Sequence, residues 1–224
     1  MIRAVLFDLF ETLVSESGTV QTRASSLGEA LGLDDSAFRS TWRQYRPRVV
    51  RGDLSFERAL VDVGAQLNVG LEPFALQRAC ERRVREKAVV FQRIESELVA
   101  VIRGLHEQGI RLAVVSNCFE EDVRAWSGCA LAPWFDGTVF SFAVGMAKPE
   151  PEIYLEATRR LAVPPENTLF IGDGADDELL GAGRAGLHAA QAGWFASRVL
   201  GSFNPGLPPW ISSWSDVPQL VGAG

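Results

Sequence analysis

Apolar and polar positions change rhythm along this chain, and the changes outline its architecture. Residues 3–7 are mostly apolar, as in a strand buried on both faces, and the run stops abruptly at Asp8. From about residue 15 to 92 the apolar positions fall at helical spacing, for example Phe56, Leu60, Val63 and Leu67, with few strand-like runs. This stretch predicts a four- or five-helix insertion, with Gly52-Asp53-Leu54-Ser55 as a turn and Ser55 as an N-cap. From Ile94 short apolar runs alternate with helical patterns. Helices are expected over 95–108 (stopping at Gly109), near 120–126, and over 150–161, 176–185 and 215–221. Strands are expected over 111–116, 138–142, 168–172 and 188–192, with a short edge strand from Ile211 and a surface loop over 201–209.

Strands alternating with helices of this length make βαβ units and a parallel sheet. The expected fold class is therefore α/β: a doubly wound parallel sheet with an inserted helical domain. Residues 1–14 and 93–224 would form the core and residues 15–92 the insertion. A length of 224 residues, 47% of them apolar, suffices for a sizeable interior.

Charge and cysteine usage narrow the partners. A net charge of −6 argues against nucleic acid, which asks for a basic face. No run approaches the roughly 18 apolar residues of a membrane span, and the N-terminus enters a strand pattern rather than a signal peptide. The three cysteines (Cys80, Cys118 and Cys129) lack CxxC spacing and read as reduced thiols. The expectation is a cytoplasmic protein acting on a small molecule, without nucleic-acid or membrane partners. Trp126, Trp134 and Trp194 suit packing, a site rim or an interface, which leaves a homodimer open.

Chemistry collects where strands end. Asp8 should emerge at the C-terminal edge of the sheet, with Thr12 on the turn beyond to bond a phosphate oxygen or orient the carboxylate. Ser116-Asn117 ends the next strand, where a hydroxyl and turn N–H groups can cradle an anion. Lys148 precedes Pro149 and a helix; aimed at Asp8, it would hold that carboxylate ionised. Asp173, Asp177 and Glu178 crowd together after a buried strand, and such a cluster of hard oxygen donors suits Mg²⁺. Each has a plainer reading: a helix-capping Asp, a turn, a surface lysine, acids favouring a helix N-terminus. Gly181–Gly186 spells GxGxxG, but it falls within or at the end of a helix rather than after a strand, and reads as helix packing and a C-cap.

Taken in order, strand-Asp8-x-x-x-Thr12, Ser116, Lys148 and Gly-Asp173-x-x-x-Asp177 resemble the four signature motifs of the haloacid dehalogenase (HAD) superfamily, over nearly the whole chain. The helical insertion resembles its type I caps. The resemblance implies a Rossmann-like hydrolase in which Asp8 attacks the substrate and forms a covalent intermediate. It also implies Mg²⁺ held by Asp8, the main-chain carbonyl of Phe10 and Asp173, with Asp177 or Glu178 as a further ligand. Phe10 departs from the pattern of the phosphatases in this superfamily, which carry an acid/base Asp there. General acid–base help is worth ~10²–10⁴-fold, so alkyl phosphates should suffer most from its loss. L-2-haloacid dehalogenases of the superfamily also have an aromatic residue there, and Trp42-Arg43-Gln44 resembles a run in which their arginine receives halide or carboxylate. The acidic run around Asp173 favours the metal-dependent phosphatase. Carbon–halogen hydrolysis, or phosphate binding without turnover, are the alternatives. Arg43, Tyr45, Arg46 and Arg48 are the insertion side chains expected to set substrate choice, Arg43 being equally readable as a surface arginine.

Overall fold

The computed structural model describes residues 1–16, 26–195 and 209–222. Its centre is a six-stranded parallel sheet in the order β3-β2-β1-β4-β5-β6. The strands are β1 (Ala4–Phe7), β2 (Arg111–Ser116), β3 (Gly137–Phe140), β4 (Thr168–Gly172), β5 (His188–Ala192) and β6 (Trp210–Ile211). Period-two alternation sends successive side chains to opposite faces. Val5, Phe7, Leu112, Val114, Leu169 and Ile171 join one buried cluster, while Ala4, Leu6, Ala113, Val115 and Phe170 join the other. Helices cover both clusters. Leu98, Ile102 and Leu105 of α5 (Ser96–Glu107) and Val217 and Val221 of α9 (Val217–Gly222) seal the first. Ile153, Tyr154 and Ala157 of α7 (Pro151–Leu161) and Leu179 and Ala182 of α8 (Glu178–Arg184) seal the second. Each large apolar side chain buried this way stabilises the fold by roughly 1.5–3 kcal/mol.

Between β1 and α5 lie α1 (Leu27–Ala30), α2 (Asp35–Val50), α3 (Phe56–Gln66) and α4 (Pro73–Val90). Ser55 accepts a hydrogen bond from the Arg58 N–H as the N-cap of α3. These helices bury a cluster of their own, including Phe38, Val49, Phe56, Leu60 and Val63. It reaches across to Phe119 and Ala147, which belong to loops of the sheet layer. Phe119 stacks on Phe56 with ring centroids 5.8 Å apart, and the Arg83 guanidinium sits 4.4 Å from the Phe119 ring centroid. Arg83 also pairs with buried Asp122 at 2.6 Å, and Arg51 pairs in two-pronged fashion with Glu150.

Three expectations need correction. Residues 120–126 form no α-helix; short 3-10 turns at 120–122 and 126–128 take its place, and the aromatic and acidic residues there lock the loop instead. Phe119 N–H, for example, donates to Asp122 Oδ2 at 3.0 Å. The third strand stops at Phe140, where Ser141 opens a short helix, α6 (Ser141–Val144), and ties to both backbone atoms of Cys118. Finally, α8 begins at Glu178 rather than Asp176, because Asp176 and Asp177 both adopt left-handed backbone (φ 50° and 57°). Within α8, Gly181 and Gly183 are helical and Gly186 follows with φ +84°, as packing and capping glycines do. The expected loop over 201–209 lies, Pro209 apart, outside the described residues.

Candidate active site

β1 and β4 are neighbours at the point where the strand order reverses, the place where open α/β sheets receive ligands. Asp8 leaves β1 there, its N–H held by the Ile171 carbonyl at 2.9 Å, and Asp173 leaves β4 alongside. Lys148 arrives from the loop before α7. Its ammonium pairs with the carboxylates of both Asp8 and Glu178. One oxygen each from Asp8, Asp173 and Glu178 lies within 4.8 Å of the others. Asp8, Lys148 and Glu178 are buried, at 6%, 7% and 2% exposure, yet they and Asp173 line a cleft of about 220 Å³.

The electrostatics are unbalanced. One ammonium faces three carboxylates in a desolvated place. Burial raises the Asp8 carboxyl to about 6 despite Lys148, with Glu178 adding to the rise. Burial likewise raises Asp173 and Glu178. Burial opposes the Lys148 charge, but Asp8 and Glu178 outweigh it and raise its pKa, so the lysine stays protonated. A cluster of hard oxygen donors with surplus negative charge fits a divalent cation such as Mg²⁺.

The supports around this cluster are specific. Asn117 holds the Lys148 peptide from both sides, accepting from its N–H at 2.8 Å and donating to its carbonyl at 2.8 Å. Glu178 Oε1 accepts from the Gly174 N–H at 3.0 Å, and the Tyr154 hydroxyl donates to the Glu178 carbonyl at 2.7 Å. Gly172 makes room for that carboxylate: a Cβ there would fall 2.1 Å from Glu178 Oε1. At Gly181 a Cβ would fall 2.4 Å from the Pro149 carbonyl oxygen.

The structure brings together Asp8, Ser116, Asn117, Lys148, Asp173 and Glu178, and Phe10 lies on the cleft wall with them. Others stand apart. Thr12 is fully buried, its hydroxyl without a hydrogen-bond partner among the described residues, and its carbonyl accepts from the Trp194 indole at 2.8 Å. It does not line the cleft among the described residues. Asn117 lines the cleft, and its amide also braces the Lys148 peptide. Asp177 is exposed and outside the carboxylate cluster, because its left-handed backbone turns the chain so that Glu178 points inward. Arg43 is exposed and off the cleft, while Arg46, three residues later and also exposed, lines it. A sequence signal for this exists. Arg46 flanks the Phe38-Trp42-Val49 stripe of α2, whereas Arg43 is turned about 100° away from Trp42. The roles of Asn117, Tyr154 and Arg51 carry no such signal.

Phe10 brings no proton donor, and its ring instead seats the Lys87 ammonium of α4, 4.3 Å from the centroid. Neighbouring Glu11 accepts from the Ser15 hydroxyl at 2.7 Å and the Glu16 N–H at 2.8 Å. Cys118 is buried, its thiol pushed up by desolvation, and does not line the cleft among the described residues. His188 contacts the Glu166 carbonyl at 3.1 Å, at the start of β5 and away from the cleft.

A family model for haloacid dehalogenase-like hydrolases matches residues 2–186, which includes every residue of this cleft. The chain belongs to that family of hydrolases. It is 27% identical over 194 residues to glyceraldehyde 3-phosphate phosphatase of Methanopyrus kandleri, covering 84% of this chain and 82% of the relative. It is 29% identical over 194 residues to phosphoglycolate phosphatase of Aquifex aeolicus, covering 86% and 85%. Among solved structures, 2-haloacid dehalogenase from Pseudomonas syringae superposes with a TM-score of 0.71 at 21% identity, covering 100% of this chain and 99% of that one. That likeness establishes the shared fold. Among the described residues no helix is long and apolar enough to cross a membrane.

Proposed function

We propose that this HAD-family hydrolase is a Mg²⁺-dependent phosphatase of small phosphorylated metabolites. The observation that carries it is the meeting of Asp8, Asp173 and Glu178 oxygens within 4.8 Å of one another beside Lys148. Similarity to two phosphatases over more than four-fifths of the chain supports the same reading. Asp8, Asp173 and Glu178 would hold the ion, with the Phe10 carbonyl as a further donor. When bound, the metal offsets charge on the phosphoryl group.

An Asp8 carboxylate oxygen forms a bond to phosphorus as the bond to the leaving oxygen breaks. Lys148 holds Asp8 in place and offsets charge that builds on the phosphoryl oxygens. Ser116, at the end of β2, bonds one of those oxygens. Water then adds to phosphorus and the bond to Asp8 breaks, which returns the free carboxylate and phosphate. Phe10 leaves the departing oxygen without a protein proton donor, so acyl and aryl phosphates should turn over faster than alkyl ones. The helices within residues 15–92 act as a cap that shields the cleft from water.

Phosphate release from p-nitrophenyl phosphate and acetyl phosphate, with Mg²⁺ and with EDTA, tests this against an Asp8→Asn blank. Release that needs both Mg²⁺ and Asp8 is expected; activity that survives Asp8→Asn would overturn it. Phe10→Asp should raise turnover of alkyl phosphates. One observation favours a second reading: halide leaves without a proton, and Phe10 offers none. Chloride release from 2-chloropropionate that persists in EDTA would establish that alternative.

A further inference from the structure

The loop that leaves β2 is held residue by residue. Asn117 is tied to the Lys148 peptide, and the Ser141 hydroxyl pins Cys118 at its N–H (3.1 Å) and its carbonyl (3.2 Å). Phe119 then leaves the sheet layer: it is buried, and its ring joins the cluster of the helical segment. There it stacks on Phe56, meets Trp42 edge-on with centroids 6.0 Å apart, and faces the Arg83 guanidinium. Arg83 holds the same loop a second time. It pairs with Asp122, the carboxylate that accepts the Phe119 N–H. One α4 side chain thus grips the Phe119 ring directly and the Phe119 backbone through Asp122.

We propose that Arg83 is a positioning residue for the cleft, setting the Ser116–Asn117 turn through Phe119 and Asp122. The helical segment then holds one wall of the cleft in place as well as covering it. What Ser116 does there rests on the phosphatase reading; the grip on the loop does not. Arg83 does not line the cleft among the described residues, whereas Ser116 and Asn117 both do. A shift of the loop reaches Ser116 directly, and it reaches Lys148 through the amide of Asn117. Misplacing a reacting group by about 1 Å can cost ~10²-fold in rate, so a remote grip of this kind acts on chemistry. Guanidinium suits both tasks at once, because its flat face lies on aromatic rings while its edge pairs with a carboxylate. A lysine ammonium is a point charge that serves one partner well at a time.

Cys118 reports on the loop, because it lies between Asn117 and Phe119 and is buried, while Cys129 is buried outside that stretch. Wild type, Arg83→Met, Arg83→Lys, Asp122→Asn and Leu161→Ala are treated with iodoacetamide well below their unfolding temperatures. Peptide mass spectrometry then gives the rate at each cysteine. Leu161, buried at the end of α7 away from Lys148, supplies a variant weakened by packing alone. Cys118 should react about fivefold faster or more in Arg83→Met, and by a smaller factor in Arg83→Lys, with Cys129 unchanged. On p-nitrophenyl phosphate with Mg²⁺, kcat should fall about fivefold or more in Arg83→Met, with KM little changed and partial recovery in Arg83→Lys. Leu161→Ala should keep the wild-type kcat and Cys118 rate. A smaller rise at Cys118 in Arg83→Met overturns the proposal, as does an equal rise at Cys129 or in Leu161→Ala. A faster Cys118 with kcat unchanged overturns it too. Should Arg83→Met fail to fold, Asp122→Asn is judged by the same criteria. If wild type releases no phosphate, the phosphatase reading fails by itself, and the thiol rates still decide whether Arg83 holds the loop.

Discussion

Two ionic regions of this molecule follow opposite rules. Along the seam between helices and sheet layer, charges meet one to one: Arg83 with Asp122, Arg51 with Glu150. At the end of β1 and β4, one ammonium faces three carboxylates, and burial raises the pKa of each acid. The seam is built for adhesion and the cleft for chemistry. Net charge left unbalanced in a desolvated place weakens a fold unless a ligand completes it, so the surplus marks where a ligand belongs.

Replacing Asp8, the proposed nucleophile, should show this division most sharply. Asp8→Asn is expected to lower phosphate release by about 10⁴-fold or more, as read by steady-state assay. Lys148→Met comes next, with turnover down roughly 10³-fold and the metal-free protein about 3 kcal/mol less stable, because Asp8 and Glu178 then share no cation. Urea denaturation in EDTA measures it.

A third expectation concerns pH. Asp8 holds its proton more tightly folded than unfolded, with a pKa raised from 3.8 to about 6. Its contribution to stability is therefore present below pH about 4 and is lost as pH rises through about 6. In EDTA the wild type should lose about 1–3 kcal/mol relative to Asp8→Asn across that window. A difference independent of pH would mean that Asp8 is not desolvated as described.

The seam should respond less, and without a metal effect. Arg83→Met, which strands buried Asp122, should cost about 2 kcal/mol in thermal or urea unfolding. Arg51→Gln, at a pair more than a third exposed on each side, should cost less than about 1 kcal/mol and matter less still in high salt. If either seam variant proved as damaging to catalysis as Lys148→Met, the contrast between the regions would be lost.

Much of this is legible in the sequence. The central strands read as apolar runs because both sheet faces are covered; Asp8 and Asp173 stand out because each ends such a run, and Lys148 because Pro149 and a helix follow it. Illegible were features that turn on a single backbone torsion or on how one layer is rotated over another. Nothing in Ala-Asp-Asp-Glu says that two consecutive residues go left-handed, yet that choice puts Glu178 rather than Asp177 in the cluster. The brace that the Asn117 amide forms on the Lys148 peptide joins two segments far apart in the chain, and neither segment announces it.

Gly181 never reaches the cleft, yet its missing side chain is the space into which the Pro149 carbonyl fits, one residue beyond Lys148. A saturation library would therefore show an intolerant column at this position, where even alanine displaces the lysine-bearing loop. Anyone ranking residues by distance from substrate would overlook it. Inheritance in this site thus includes an absence, a place where the protein has to keep nothing at all.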